Sequence, residues 1–190
     1  MRTLVLASAS AGRAELLRRS RYPFVVDPSD CAEDGVPGEP DDLALTLALR
    51  KARRVALRYS DAVVVGADTV IDLDGEVLGK PESPGDADAM LKRLVGRCHR
   101  LVTGLVVIDT ARDIEYTGIE VTLVHLRPLT PSQIRAYVSS GEPVGKSGSY
   151  EIQGLGAVII DRIEGDFSNV VGLPMAHLAH VLERFGISIL

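Results

Sequence analysis

The stretch Asp61-Ala62-Val63-Val64-Val65-Gly66-Ala67-Asp68-Thr69 decides the fold class. Its apolar run is continuous rather than alternating, the pattern of a strand covered on both faces in a layered α/β fold. Asp68 stands at the far end of that run, and in open α/β sheets that end is where ligands bind. A second buried strand, Thr3 to Ala7, feeds through Ser8-Ala9-Ser10-Ala11-Gly12-Arg13 into a helix over Ala14 to Arg19. A strand passing into a helix through small and hydroxyl residues leaves N–H groups at the positive end of the helix dipole. That junction favours an anion, and Arg13 could clamp it. The plainer reading has Ser10 capping the helix and Arg13 solvated.

The flanking sequence alternates strands and helices without a repeat. Phe24 to Asp27 reads as a strand, Pro28 to Asp42 as a loop, and Leu43 to Leu57 as a helix with Leu43, Leu47, Ala48, Ala52 and Val55 on one face. Lys51 falls inside that apolar stripe, so it must either snorkel out or point at a buried anion. Thr69 to Leu73 and Glu76 to Leu78 flank Asp74-Gly75 as a hairpin that leads to Gly79-Lys80-Pro81 and holds Lys80 near the sheet end. Helices follow at Ala87 to Val95 and Pro131 to Ser139, with long strands at Arg100 to Asp109 and Ile114 to Leu126 between them. A strand at Ala157 to Asp161, a turn at Glu164-Gly165-Asp166 and a helix from Pro174 to Arg184 complete the pattern. No linker separates domains, so residues 1–190 read as one domain.

Composition narrows the function. The 190 residues are 46% hydrophobic, with mean hydropathy +0.15, ample for a core without a metal or disulfide staple. Cys31 and Cys98 have no metal-ligand spacing, suit a reducing cytoplasm, and read most simply as core filler. No export signal or membrane span is read, the apolar stretches being strand-sized. The net charge of −5 and an aromatic content of 4% argue against nucleic acid as a partner.

Gly141-Glu142-Pro143-Val144-Gly145-Lys146-Ser147 invites a P-loop reading, but it is one residue short, Pro143 lacks an N–H, and a helix rather than a strand precedes it. His177 and His180 lie three apart without further metal ligands, and His99 and His125 read as packing residues on strands. What remains is a mixture of acids and bases. Glu33 and Asp68 could bind a divalent cation or activate water, while Arg13, Lys51 and Lys80 could hold phosphates. Phosphoryl chemistry needs that mixture.

These residues lie in ordered fragments that resemble the Maf family of nucleoside triphosphate pyrophosphatases. The fragments include Leu4 to Ser10 with Arg13, Glu33, Lys51-Ala52, Gly66 to Val70, Gly79-Lys80-Pro81, Leu94-Val95-Gly96 with His99, Val102-Thr103-Gly104, Gly141-Glu142-Pro143, Tyr150 to Gly154, and Gly165 to Pro174. The resemblance implies an inosine-triphosphatase-like α/β fold, with a long bent mixed sheet flanked by helices and a cleft between two lobes. It also implies a homodimer in the cytoplasm. The implied reaction is attack of water between the α- and β-phosphates, giving a nucleoside monophosphate and pyrophosphate with Mg²⁺ or Mn²⁺. Asp68 would be the general base or a metal carboxylate, Glu33 a second metal carboxylate, and Ser8, Ser10, Arg13, Lys51 and Lys80 the triphosphate ligands. Arg13, Thr69 and Gln153 would set specificity, in the pattern of the dTTP/UTP branch, where an amide can pair with a pyrimidine edge. The family's Ser-x-Ser-Pro-Arg-Arg stands here as Ser8-Ala9-Ser10-Ala11-Gly12-Arg13, one cation short. Restoring it with Gly12→Arg should lower KM. The alternative function is a non-catalytic nucleotide-binding regulator of cell division, and two retained carboxylates favour turnover over it.

Overall fold

Glycine brings a helix and a strand pair into backbone contact at the centre of this molecule, a computed structural model that describes residues 2–32 and 36–190. The helix α2 (Pro40–Ala56) lies across β3 (Ala62–Leu73) and β5 (Cys98–Asp109). A Cβ at Gly66 would stand 2.6 Å from the Ala48 carbonyl oxygen, and one at Gly104 would stand 2.3 Å from the Ala44 carbonyl oxygen. No side chain fits either place, so the two glycines set how closely α2 approaches the sheet.

Among the described residues the sheet has seven strands in the order β2-β1-β3-β5-β6-β7, with β4 also paired to β3. β1 (Thr3–Leu6) is parallel to β2 (Phe24–Val26) and to β3, while β4 (Glu76–Leu78), β5, β6 (Ile114–Leu126) and β7 (Ile160–Glu164) add antiparallel neighbours. The mixed sheet flanked by helices is the expected α/β class.

Strand alternation sorts β3 between two faces. Ala62 and Val64 pack on Ala48, Ala52 and Val55 of α2. Val63, Val65 and Ala67 point the other way, into a cluster with α1 (Ala11–Arg19) and α6 (Met175–Arg184). Further along that second face, Ile71 and Leu73 join a separate cluster with α3 (Pro84–Leu94) and α4 (Pro131–Val138). Thr69 and Thr103 lie between these clusters, their hydroxyl oxygens 2.9 Å apart. This polar layer divides the core of one continuous sheet.

Several sequence expectations are corrected. β3 is one strand of 12 residues, so Asp68 sits in mid-strand and the hairpin arm begins within the same strand. Asp68 looked terminal because the apolar run ends at Ala67; it is the neighbour β1 that stops there, with a last hydrogen bond from the Ala7 N–H to the Val65 carbonyl at 2.8 Å. α2 begins at Pro40, with Asp41 and Asp42 in its first turn, where their charges complement the helix dipole. The strand expected over Ala157 to Asp161 is instead a short 3₁₀ turn at Leu155–Val158 followed by β7. A short helix, α5 (Phe167–Val171), was not anticipated. Neither cysteine fills the core: Cys31 is half-buried and Cys98 exposed.

Candidate active site

Beyond Ala7, β1 gives way to the turn into α1, and the edge of β3 from Gly66 to Val70 has no strand partner until β4 pairs at Ile71. A cleft opens at this gap. It comprises two adjoining cavities of about 450 and 470 Å³ that share Thr69, Lys80, Gly145 and Ser147 on their walls. Ser8, Ser10, Arg13 and Lys51 line the first cavity and Asp68 the second.

Lys51 and Asp68 meet below this gap. Lys51 Nζ donates to Asp68 Oδ1 at 2.5 Å, and the two residues are 7% and 5% exposed. The lysine in the apolar stripe of α2 therefore points at a buried anion. Gly66 and Gly104 make this reach possible by letting α2 settle onto the sheet beside Asp68, which is paired with Gly104 in register.

Arg13 does on the opposite face what Lys51 does here. It is 9% exposed, so the solvated reading is overturned. Its Nε donates to the Gly172 carbonyl at 2.7 Å, Nη1 to Ser8 Oγ at 3.2 Å and Nη2 to Thr69 Oγ1 at 3.0 Å. Arg13 thus joins the β1–α1 turn, mid-β3 and the end of α5. Gly172 has φ +115, and a Cβ there would stand 3.3 Å from Arg13 Nε. Ser10 caps α1 by accepting from the Arg13 N–H at 3.4 Å, and no acidic residue occupies the first turn. Ala11 and Gly12, whose N–H groups open α1, line the cavity. A Cβ at Gly12 would lie 3.3 Å from Val171 Cγ1 and 3.5 Å from the Val171 carbonyl oxygen, a tight fit.

The structure brings together Ser8, Ser10, Arg13, Lys51, Asp68, Thr69 and Lys80 around the cleft. It does not bring Gln153 into either wall: that residue is exposed, just before the Leu155–Val158 turn. Glu33 lies outside the described residues. Among the wall residues given no role from the sequence are Lys146 and Ser147, set aside with the failed P-loop, and Tyr150 and Glu151, noted only within a family-like fragment. The Gly145-Lys146-Ser147 segment is indeed no P-loop, since Ser147–Ser149 forms only a 3₁₀ turn. Its glycine and lysine nevertheless carried a signal of backbone turning beside a cation.

Tyr150 rests on His99, with Nε2 2.7 Å from the tyrosine oxygen, while His99 Nδ1 is buried without a partner. Burial, with a smaller contribution from His125, pushes His99 down to about 4, so the ring is neutral near pH 7. Glu142 accepts from the N–H groups of Leu155 and Gly156, both at 2.8 Å, and from Tyr137 Oη at 2.7 Å. The Gly141-Glu142-Pro143 fragment is therefore a brace for the chain behind Glu151. Burial and the Glu142 contact hold the Tyr137 hydroxyl well above the ordinary tyrosine range. His177 lies between Tyr116 Oη (2.7 Å) and Glu120 Oε2 (3.0 Å), and His180 contacts the Ala176 carbonyl, both away from the cleft.

No group of three or more His, Cys, Asp or Glu among the described residues could hold a metal by itself. The donor chemistry nevertheless suits a hard cation. Asp68 offers a carboxylate whose Lys51 contact uses only Oδ1, and Mg²⁺ is commonly held by one or two carboxylates together with substrate phosphates. No helix among the described residues is long and apolar enough to cross a membrane.

Comparison with known proteins gives the chain its family. The Maf-like protein family model matches residues 3–185. A Moorella thermoacetica protein named dTTP/UTP pyrophosphatase is 47% identical over 190 residues, covering 100% of this chain and 98% of the relative. Proteins of the same name from Symbiobacterium thermophilum and Methanosarcina mazei are each 46% identical, covering 98% and 100% of this chain and 95% and 97% of theirs. Among solved structures, the Staphylococcus aureus Ham1 protein matches with TM-score 0.47 at 14% identity, over 65% of this chain and 71% of its own. A nucleoside-triphosphatase, dITP/XTP pyrophosphatase, from Mycobacterium abscessus matches with TM-score 0.44 at 16% identity, over 97% of both chains. With the family model spanning nearly its whole length and full-length relatives well above 40% identity, the chain belongs to the Maf-like protein family.

Proposed function

We propose that this chain is a divalent-cation-dependent nucleoside triphosphate pyrophosphatase acting on dTTP and UTP, releasing the nucleoside monophosphate and pyrophosphate. The observation that carries the reading is the buried Lys51–Asp68 pair at the floor of a cleft also walled by Ser8, Ser10, Arg13 and Lys80. A carboxylate set among cations and hydroxyls suits a polyphosphate that must be both held and attacked by water. The names of its full-length relatives support the same reaction and the same pyrimidine substrates.

In this reading the triphosphate lies along the β3 gap. The N–H groups opening α1 and the hydroxyls of Ser8 and Ser10 take phosphate oxygens, with Lys51 and Lys80 neutralising charge. Arg13 acts mainly by fixing Ser8, Thr69 and the Gly172 carbonyl, each of which takes one of its donors. Asp68 orients or deprotonates the attacking water, and Lys51 holds its carboxylate in one rotamer. A Mg²⁺ or Mn²⁺ ion held by Asp68, with Glu33 as a second carboxylate, would supply charge neutralisation at the scissile phosphates. The chain acts as one domain, assembles as a homodimer, and takes its base preference from Arg13 and Thr69 on the cleft wall, Gln153 standing outside both cavities.

The test is to incubate the protein with dTTP, UTP, CTP, GTP and 7-methyl-GTP, with Mg²⁺, Mn²⁺ or EDTA, and to measure pyrophosphate and monophosphate. The expected result is pyrophosphate from dTTP and UTP, abolished by EDTA and by Asp68→Asn. Preference for a purine would overturn the substrate assignment. Folded protein that binds nucleotide without turnover would establish the regulator instead.

A further inference from the structure

Lys146 is the cation on the cleft wall whose surroundings were built by a different part of the chain. The Gly145 N–H donates to the Pro81 carbonyl at 2.9 Å, which ties its loop to the one that carries Lys80. Ser147 Oγ reaches the Thr69 carbonyl at 3.4 Å, and the Ser149 N–H donates to the Lys146 carbonyl at 3.0 Å. The backbone of Lys146 is thereby fixed at the rim of the β3 gap. Its side chain remains 46% exposed, with Nζ 2.5 Å from Glu151 Oε2. Glu151 is held as firmly: its N–H donates to Tyr137 Oη at 3.2 Å, and a Cβ on Gly156 would lie 2.5 Å from its carbonyl oxygen.

We infer that Glu151 is an internal counter-ion for Lys146, and that substrate binding exchanges the Glu151 carboxylate for a phosphate oxygen on Lys146. The inference rests on the polyphosphate reading of the cleft. Three observations favour an exchange over a fixed structural pair. Both partners line the cavity. The pair is half-exposed, and such pairs contribute little net stability, so breaking one is cheap. Lys51, by contrast, is buried against Asp68, so Lys146 can reorient where Lys51 cannot. A polyphosphate carries more negative charge than one carboxylate and wins the ammonium. Glu151 then stands as a like charge beside it. Glu151 therefore opposes anion binding and limits how tightly substrate and pyrophosphate are held, which favours product release.

The experiment is calorimetric titration of inorganic tripolyphosphate in EDTA, with dTTP hydrolysis measured in parallel in Mg²⁺. Glu151→Gln is expected to tighten tripolyphosphate binding about threefold, the scale of an exposed ion pair, and Lys146→Met to weaken it about tenfold. Lys146→Arg should restore most of the loss. In the Lys146→Met background Glu151→Gln should change binding less than about twofold, because its main effect acts through the lysine. The Glu151→Gln gain should shrink in high salt. Unchanged or weaker binding in Glu151→Gln, or an equal gain with and without Lys146, overturns the inference. If the expected binding shifts appear without any hydrolysis, the pyrophosphatase reading fails and the counter-ion stands; if dTTP is hydrolysed and the shifts are absent, the counter-ion alone fails.

Discussion

Replacing both members of the Lys51–Asp68 pair should cost far less stability than replacing either one. The two side chains are almost wholly inside the protein, with Lys51 7% and Asp68 5% exposed. Leaving one charge there without its partner costs about 3–5 kcal/mol, whereas substituting apolar groups of similar shape for the whole pair is often neutral or stabilising. Methionine matches the lysine stem, leucine has the branching of aspartate, and Val70 and Leu47 already supply apolar neighbours. Equilibrium urea unfolding of Lys51→Met, Asp68→Leu and the double variant measures the effect. At about 2–4 °C per kcal/mol for a chain of this size, each single variant should lose roughly 10 °C in Tm. The double variant should fall within about 1 kcal/mol of the parent, a coupling of at least about 5 kcal/mol. A double variant as unstable as the sum of the singles would refute the argument that the pair is costly to the fold. A stable double variant that releases no pyrophosphate from dTTP would show that the pair is kept for the site.

His99 gives a pH dependence. Unfolded, it takes up a proton near 6.5, and folded only near 4. The unfolded state therefore binds more protons between those values, and native stability falls as pH drops through the window, by up to about 3 kcal/mol. Chemical denaturation at pH 7 and pH 4.5 should show a shallower loss for His99→Gln, which keeps a donor toward Tyr150; parallel curves would count against it. Gly104→Ala would put a methyl 2.3 Å from the Ala44 carbonyl oxygen, costing about 3 kcal/mol or more and dislodging Lys51. Gly85→Ala, whose nearest neighbour would be Ser83 Oγ at 3.7 Å, should be neutral or stabilising by up to about 1 kcal/mol, and equal Tm values for these two variants would defeat the packing argument. Gly12→Arg should lower KM for dTTP, because residue 12 lines the cavity and Val171 Cγ1, 3.3 Å from the new Cβ, needs to yield only slightly; an unchanged or higher KM speaks against a phosphate subsite there.

What the sequence made legible depended on how local the cause was. Strands such as β3 and helices such as α2 were readable because burial imposes a periodicity on neighbouring residues. The same periodicity put Lys51 on the buried face of α2 and left two outcomes, a snorkelling stem or a buried anion, of which the structure has the second. The position of Asp68 was misread because the apolar run ends at Ala67 while β3 continues to Leu73 through its pairing with β5 and β4. Nothing between Asp61 and Leu73 announces that β1 parts from β3 after Val65. For Arg13 the solvated alternative could not be set aside from local sequence, since its Gly172 partner lies 159 residues away along the chain. β7 was placed early because Glu142, outside the local window, caps the Leu155–Val158 turn and holds those apolar residues out of the sheet. Lys146 escaped because its P-loop-like stretch was tested as a motif and not as a surface, and Glu151 because the fold, not its neighbours in sequence, turns it to the cleft.

The gap in the β3 edge explains why one strand can serve both faces of the site. Along β3 successive side chains point to opposite faces, so Asp68 meets Lys51 on the α2 face while Thr69 meets Arg13 on the α1 face. In a fully paired sheet those two environments would be sealed from each other by the neighbouring strand. Here β1 ends opposite Val65 and β4 begins opposite Ile71, so a ligand seated at the edge can touch both. The opposite edge of β3 stays paired with β5 from Val63 to Asp72, which keeps the exposed segment rigid. The freed backbone is not left wholly to solvent, since Ser147 Oγ donates to the Thr69 carbonyl. The register of this short segment is therefore a chemical constraint as well as a packing one: a shift of one residue would send the carboxylate to the α1 face beside Arg13 and the hydroxyl to Lys51. Gly104, opposite Asp68, pins that register through its backbone contact with α2, so the close helix packing and the placement of the carboxylate have a single structural cause.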